Sequence, residues 1–298
     1  MVEEGAVFSA LHKILLLFCL AEFASARCHT MDRESLLKYL ANHSVKSISG
    51  VHTFSEIDST NSEAERLISN GIADVQLVIA DAQSAGRGRR DRDWVSPSGS
   101  GLYLSLVYPF SVETFGLQGL SLVTALSAHA AIRNLGVESL QLKWPNDLLV
   151  GNKKLSGILL ELCDHSAQTW VVFGIGVNYK LTKDQRASIG RPAIDVSEVL
   201  SKPPSIEQLA AAITVELLRN IGEFISSGFS TFQSAWNSYD RYLEKDIVIQ
   251  NGNSRKIGRY QGVDENGSLL LQTIDGLQRI SGGELFPSVR EADRQNSS

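Results

Sequence analysis

Between Leu140 and Val177 four β-rich runs follow one another with hardly any chain between them: residues 140–143, 148–150, 158–162 and 170–177. Runs this short, bounded by turn residues such as Gly151-Asn152, have the length of strands rather than helices. Consecutive strands must build a sheet, and a sheet must bury its apolar faces under other elements. Two earlier runs, 75–80 and 102–108, have the same character and extend the sheet. The cover is also readable. Leu117, Leu120, Val123 and Leu126 recur at helical spacing in an Ala-rich segment ending at Gly136, and Ser205 with Gln208 forms a capping box. That box opens an amphipathic helix through Leu209, Ile213, Leu217, Ile221 and Phe224, closed by Gly228. Thr60 with Glu63 reads as another capping box, before a short helix to Ile68 that Asn70-Gly71 stops.

Beyond Arg241 the pattern is purely β, with runs 247–250, 257–261, 269–273 and 277–280. The turns Asn251-Gly252-Asn253, Glu265-Asn266-Gly267 and Asp275-Gly276 are hairpin connectors, so a small barrel of SH3-like size is expected. The fold class expected is therefore α+β, a central mixed sheet with flanking helices followed by an SH3-like β-barrel. The domains expected are 31–241 and 242–292, between an amino-terminal extension, 1–30, and a tail, 293–298.

With 298 residues, 43% hydrophobic and 20% charged, the chain has material for a sizeable core and is not a disordered composition. The formal charge of −5 excludes a broad nucleic-acid footprint and leaves room for a local basic loop. Three cysteines, Cys19, Cys28 and Cys163, lack the number and spacing of a disulfide framework or zinc site, which fits a reducing, cytoplasmic home. The apolar run 14–21 is shorter than the ~20 residues of a membrane span. Ala24-Ser25-Ala26 resembles a signal cleavage site, but Glu3 and Glu4 make the start acidic, and Arg27 is the only arginine of the segment. An upstream extension, with Met31 as a candidate start, is the reading favoured.

Three segments carry chemistry. In Gln83-Ser84-Ala85-Gly86-Arg87-Gly88-Arg89-Arg90-Asp91-Arg92-Asp93-Trp94, four arginines fall within six positions. Glycines let backbone approach a ligand, and guanidinium groups offer paired donors to carboxylate or phosphate. Asp91 stands where a dinucleotide fingerprint has its third glycine, and no G-x-x-x-x-G-K-[ST] occurs. A solvated basic loop is the plain alternative. Lys143-Trp144-Pro145-Asn146-Asp147, followed by Lys153-Lys154-Leu155-Ser156-Gly157-Ile158-Leu159-Leu160-Glu161, is more specific. Pro145 restrains the chain between two strands, so Lys143, Asn146 and Asp147 converge at strand ends, offering a cation for phosphate and a carboxylate for Mg²⁺. A hairpin with polar turn residues is the alternative there. Gly174-Ile175-Gly176-Val177-Asn178 ends a strand with two glycines that let a flat ligand lie on backbone, although strand glycines often mark only bulges.

Taken in order, Ser59-Thr60-Asn61, Gly86-Arg87-Gly88-Arg89-Arg90, Trp94 with Ser96-Pro97, Lys143-Trp144-Pro145-Asn146-Asp147, Lys154-Leu155-Ser156-Gly157-Ile158-Leu159 and Gly174-Ile175-Gly176-Val177-Asn178 resemble the biotin protein ligase family from Phe54 to Arg290. The tail Gly282-Gly283-Glu284 is similar to the end of its small domain, and Asp91 departs from the glycine usual in the arginine loop. The resemblance implies the class II aminoacyl-tRNA synthetase/biotin ligase-like fold, in a form without an amino-terminal helix-turn-helix domain. It implies a two-step reaction: biotin and MgATP give biotinyl-5′-AMP, and a lysine of the carrier domain of acetyl-CoA carboxylase or a related carboxylase then takes the biotin. No enzyme nucleophile is needed; positioning and charge stabilisation do the work. By the same resemblance Ser59, Thr60, Asn61 and Gln83 orient the ureido ring, and Gly86, Arg87, Gly88 and Arg89 close over biotin and the adenylate. Arg87 and Arg89 are the anion partners. Lys154 meets the biotin carboxylate and Lys143 the triphosphate, so Lys154, Arg89 and Lys143 are the catalytic set. Asn146 and Asp147 serve the nucleotide and Mg²⁺, joined on the nucleotide side by Arg90, Trp94 and Asn178. Gly157, Gly174 and Gly176 form a close-packed wall.

Lipoate or octanoate transfer on the same fold is the nearest rival, and the Lys-Trp-Pro-Asn-Asp string and arginine loop favour biotin over it. A biotin-sensing DNA-binding regulator is disfavoured, because no pair of short helices or basic recognition segment precedes Phe54. No membrane association is expected, and a homodimer through a sheet edge is left open. The six histidines show no i, i+4 pair for a metal, so His129 reads as structural.

Overall fold

The computed structural model describes residues 31–43, 47–90, 92–110, 117 and 119–287. The readings of 1–30, of Asp91 and of 288–298 fall outside the described residues. From Met31 onward the chain is one compact unit. Its framework is a seven-stranded mixed sheet in the order β1-β2-β3-β7-β6-β5-β4. The strands are β1 (Gly50–Phe54), β2 (Gln76–Ala80), β3 (Gly101–Phe110), β4 (Leu140–Lys143), β5 (Asp147–Val150), β6 (Lys153–His165) and β7 (Gln168–Asn178). β1 runs parallel to β2, and every other pairing is antiparallel. β6 begins earlier than expected, at Lys153, so the Lys-Leu-Ser-Gly motif lies inside a strand.

Side chains alternate between the two faces of a strand, and here each face has its own cover. Leu77, Ile79, Leu102, Leu104, Leu106, Val171, Phe173, Ile175 and Val177 join the large core. That core includes α3 (Leu120–Asn134), which packs on α6 (Ile206–Ser227); the short helices α4 (Lys183–Ser188) and α5 (Val196–Val199) lie between them in the chain. α6 carries the full capping box expected at Ser205 and Gln208. Val78, Val107, Trp170 and Val172 point the other way, under Ala64 and Ile68 of α2 (Thr60–Ser69). α2 is shorter than the strands it covers, and beyond its amino-terminal end that face of the sheet lies open to a cleft. α1 (Arg33–Asn42) packs on α6, and the Met31 amide donates to both oxygens of buried Asp81 (3.0 and 3.1 Å).

The small carboxy-terminal part is a five-stranded antiparallel sheet, β11-β10-β9-β8-β12. β8 (Asp246–Asn251), β9 (Ser254–Val263), β10 (Leu269–Thr273) and β11 (Gly276–Ile280) match the expected runs; β12 (Glu284–Pro287) is a fifth strand the sequence reading did not assign. Its apolar side, including Ile247, Tyr260, Leu271 and Leu285, is continuous with the large core. Asp240 ties the parts together: its buried carboxylate accepts from Trp236 Nε1 (2.8 Å), the Tyr242 amide (2.8 Å) and the Tyr260 hydroxyl (2.6 Å). Burial pushes that carboxyl up to about 6, against the lowering by its three donors.

Candidate active site

The cleft holds about 850 Å³ of space open to solvent, on the sheet face that α2 leaves uncovered. Register decides its floor. Gly174 lies opposite Ser105 and Leu159, and Gly176 opposite Tyr103 and Gly157, so three glycines gather where β3, β7 and β6 run side by side. The backbone is thus bare, and other groups come down onto it. A Cβ on Gly176 would stand 2.6 Å from the Trp94 ring, and one on Gly157 would stand 2.9 Å from the same indole and 2.8 Å from Lys154 Nζ. Trp94 Nε1 is buried there with no hydrogen-bond partner.

One end of the cleft is a network of neutral polar groups at the start of α2. The Thr60 amide donates to Gln83 Oε1 (2.8 Å), and Gln83 Nε2 donates to Ser96 Oγ (2.9 Å). Asn61 Nδ2 donates to Glu161 Oε2 (2.6 Å), while its Oδ1 accepts from Ser105 Oγ (2.6 Å). The capping box expected from Thr60 and Glu63 does not form: Ser59 is the N-cap, without a side-chain bond, and Glu63 pairs with Arg66 at 2.6 Å. The Thr60 hydroxyl is instead 3.2 Å from Gln83 Oε1 in the cleft wall and 2.8 Å from Ser105 Oγ buried behind it, and these outcompete the helix end for it.

The other end is cationic. β4 ends at Lys143 and β5 begins at Asp147, with a cis Trp144–Pro145 bond in the turn between these paired residues. Lys154 Nζ reaches Asp147 Oδ1 at 2.5 Å and lies 5.1 Å from the Trp94 ring centroid. Burial pulls the Lys154 ammonium below its ordinary range; Asp147 opposes the shift, and Arg191 and Lys143 add to it. Arg89 Nη1 donates to Asn146 Oδ1 (3.3 Å) and has no carboxylate partner among the described residues. Burial, then the Arg90 charge, lowers its pKa, with Asp147 and Glu284 opposing.

The structure brings Ser59, Thr60, Asn61, Gln83, Arg87, Gly88, Arg89, Arg90, Trp94, Lys143, Asn146, Asp147, Lys154, Gly157, Gly174 and Gly176 to one cleft. Three expectations change. Arg87 is not a free anion partner, because its Nη2 binds Glu161 (2.9 Å) and Glu65 (3.4 Å); burial opposes its charge, yet the two carboxylates hold its pKa above the ordinary value. Asn178 stands outside the cleft: its amide donates to the Lys154 and Ile194 carbonyls (3.1 and 3.0 Å), fastening residues 192–194 alongside β6. Gly86 is buried behind the loop, against Trp94 O and Ser96 Oγ, rather than in the cleft.

Sequence reasoning assigned no role to Ser105, Glu161, Arg191 or Glu284. Glu284 takes both Arg92 and Arg90, so the carboxy-terminal sheet closes one side of the cleft. Arg191 is held beside Lys154 by main-chain bonds, Lys154 N to Pro192 O (2.9 Å) and Ile194 N to Lys154 O (3.0 Å). Glu161 was legible, four residues after Gly157 and so on the same face of β6.

Chemically, the cleft offers a neutral hydrogen-bonding end, a flat glycine floor and an end with Lys143, Lys154, Arg89 and Arg191 around Asp147. Such a site suits a small acid whose carboxylate meets a polyphosphate at the cationic end. Among the described residues no three His, Cys, Asp or Glu side chains could hold a metal ion together. Asp147 instead fits a Mg²⁺ that brings its other ligands with the phosphates.

Comparison with known proteins agrees with this geometry. Residues 54–178 match the profile of the biotin/lipoate A/B protein ligase family, and 243–286 that of the biotin protein ligase C terminal domain. The biotin–[acetyl-CoA-carboxylase] ligase of Paracoccus denitrificans is 32% identical over 237 residues, 77% of this chain and 97% of that protein. The bifunctional ligase/repressor BirA of Escherichia coli is 31% identical over 239 residues, 80% of this chain and 73% of that protein. Among solved structures, the biotin protein ligase from Aquifex aeolicus in complex with biotin and ATP superposes with a TM-score of 0.68 at 28% identity, covering 82% of this chain and all of that one (100%).

Proposed function

The chain belongs to the biotin/lipoate A/B protein ligase family, and from that premise we propose that it is a biotin–protein ligase. It joins biotin to ATP, with Mg²⁺ entering on the nucleotide, and passes the biotinyl group to a lysine of a carrier domain. The observation that carries this reading is the pairing of a neutral polar end with a cationic end across a bare glycine floor.

In the first step a biotin carboxylate oxygen attacks the α-phosphorus, the bond from that phosphorus to the bridging oxygen breaks, and pyrophosphate leaves. Lys154, at the boundary of floor and cationic end, holds the attacking carboxylate near phosphorus. Lys143 and Arg89 balance charge on the phosphates, and Asp147 keeps Lys154 in place and is the carboxylate that would hold the Mg²⁺. In the second step the carrier amine attacks the acyl carbon, AMP departs with the anhydride oxygen, and the amine's proton passes to solvent. Trp94, packed over the floor, excludes water from the mixed anhydride.

The neutral end favours biotin over lipoate. Ser59, Thr60, Asn61 and Gln83 offer donors and acceptors to a cyclic urea, whereas a dithiolane ring, with neither N–H nor carbonyl, would use none of them. The Paracoccus relative's name supports the carrier domain of acetyl-CoA carboxylase, or of a related carboxylase, as the protein substrate. A repressor activity is not proposed: among the described residues one helix, α1, precedes β1, and no helix-turn-helix is formed there. No helix of the described residues is long and apolar enough to cross a membrane, and a cytoplasmic location suits the substrates. The edge of β6 beyond Gly157, away from β7, has no strand partner among the described residues and is the place for a second copy to add its own edge.

Biotin-dependent ATP–pyrophosphate exchange, run beside lipoate and octanoate, tests the reading. Exchange with biotin alone is expected. Exchange with lipoate instead would overturn the substrate, and no exchange with any acid would overturn the activity.

A further inference from the structure

At the neutral end, one polar side chain touches no open space. Ser105, in the middle of β3, is wholly buried (0% exposed), and its Oγ lies 2.6 Å from Asn61 Oδ1 and 2.8 Å from Thr60 Oγ1. A hydroxyl has one hydrogen to give, so its destination is a matter of counting. Asn61 Nδ2 faces Glu161 Oε2 at 2.6 Å, and Glu161 is an acceptor because Arg87 Nη2 donates to both of its oxygens (3.0 and 2.9 Å). That fixes the amide, and its Oδ1, which only accepts, must face Ser105. The Ser105 hydrogen is therefore committed to Asn61. In the remaining contact, at 2.8 Å, the Thr60 hydroxyl has to be the donor, to Ser105 Oγ, in preference to the longer 3.2 Å approach to Gln83 Oε1, which already accepts from the Thr60 amide. Its hydrogen is thereby turned into the wall, which leaves its lone pairs for the cleft. The Ser59 hydroxyl, which caps no helix end, stays available as a donor.

Resting on the ligase reading above, we infer that Ser105 is a positioning residue that sets the polarity of the head-group end: it makes Thr60 an acceptor, so that the site selects an acid whose ring brings N–H donors. Ser105 acts through Thr60 and Asn61 and does not itself touch the substrate.

The test is Ser105→Ala, assayed by pyrophosphate exchange with biotin and with biotin methylated on a ureido nitrogen. Without the Ser105 hydrogen, Asn61 Oδ1 loses its donor and the Thr60 hydroxyl is free to turn. The biotin KM should rise about tenfold, the effect of losing one neutral hydrogen bond's worth of organisation. At saturating biotin kcat should stay within about twofold and the ATP KM should not move, since the cationic end is untouched. Preference for biotin over the methylated analogue should narrow by about tenfold as well, while an unmoved ATP KM and kcat separate this from general loosening. Ser105→Cys, which keeps the shape with a weak donor, should fall between parent and alanine. Thr60→Val should remove most of the effect of Ser105→Ala when the two are combined.

A folded Ser105→Ala enzyme with unchanged biotin KM and unchanged discrimination overturns the inference alone. So does a fall of kcat and Tm with a parallel rise of both KM values in both Ser105 variants, which marks a merely structural residue. A parent enzyme that cannot bind biotin by calorimetry overturns the substrate reading, and the inference with it.

Discussion

Gly174→Ala tests the glycine floor directly. The added Cβ would overlap Asn61 Oδ1 outright and stand 2.8 Å from Leu159 O and 2.9 Å from Asn61 Nδ2, where ordinary contact begins at 3.4 Å. The Leu159 side must open by 0.6 Å, the difference between 3.4 and 2.8 Å, and the Asn61 side by more. Neither side gives easily. Leu159 O belongs to the strand paired with β7 at this residue, and Asn61 is pinned at both ends by 2.6 Å bonds to Ser105 and Glu161. The amino end of α2, carrying Ser59, Thr60 and Asn61, therefore moves by nearly an ångström relative to the floor. A displacement of that size costs on the order of 10²-fold in rate, or ~2.7 kcal/mol of transition-state stabilisation. Exchange kinetics should show kcat/KM for biotin down about 100-fold, with the ATP KM little changed. Overpacking should also cost ~1–3 kcal/mol of stability, so assays belong well below the variant's Tm. Gly222→Ala is the control: that glycine is exposed within α6 with nothing near its Cβ, and alanine there should stabilise by ~1 kcal/mol with full activity. A folded Gly174→Ala enzyme within about threefold of the parent kcat/KM would refute the close-packed floor.

Other consequences are separable. Lys154→Ala should lower adenylate formation by orders of magnitude while leaving the protein folded, read by single-turnover adenylate yield and circular dichroism; parental yield would remove Lys154 from the chemistry. Arg89→Ala should speed the escape of biotinyl-5′-AMP, because a guanidinium holds the charged intermediate more firmly than solvent does; equal release of labelled adenylate from mutant and parent would reject that role. Asp240 makes stability depend on pH. Its folded value of about 6 lies above the ordinary 3.8, so the folded state holds the proton more tightly than the unfolded chain. Its contribution is fully present below pH 3.8 and is lost as pH rises to about 6. The difference between 3.8 and about 6 corresponds to ~3 kcal/mol. Urea unfolding at both ends of that window should show this slope in the parent and lack it in Asp240→Asn; parallel profiles would disprove it.

The strands, the two long helices and the hairpins of the carboxy-terminal sheet were legible because alternation and helical spacing report which side of an element is buried. The motifs also named most of the cleft, since Lys143 and Asp147 flank one turn and Gly157, Gly174 and Gly176 share one face. What escaped was partnership. Nothing local distinguishes Arg87 from Arg89, yet one meets Glu161 and Glu65 from two other elements and the other meets only an amide. Asn178 follows the glycines on β7, but the segment 192–194 comes alongside β6 at that point and takes its amide. Thr60 carries a capping signature, and a better-placed set of wall atoms claims its hydroxyl. In each case the partner that takes the side chain is distant in sequence and is supplied only by the tertiary fold.

That partition of partners gives the arginine loop two distinct jobs. Arg87 reaches carboxylates on α2 and β6, and Arg90 and Arg92 reach Glu284 on the carboxy-terminal sheet, so these three bind the loop to the walls on either side of the cleft. Arg89 alone of the four has no carboxylate partner among the described residues; burial and the Arg90 charge lower its pKa, and it faces the same space as Lys143, Lys154 and Arg191. Against these four stands Asp147, already bound to Lys154. In a chain whose net charge is −5, a cleft with this excess of half-buried cations favours an anion of several charges. A triphosphate supplies them, and losing pyrophosphate while keeping AMP takes part of them away. In the proposed reaction Arg89 and Lys154 would then hold the adenylate with two fewer phosphates to neutralise, which would loosen the cationic end at the stage when a carrier lysine has to enter.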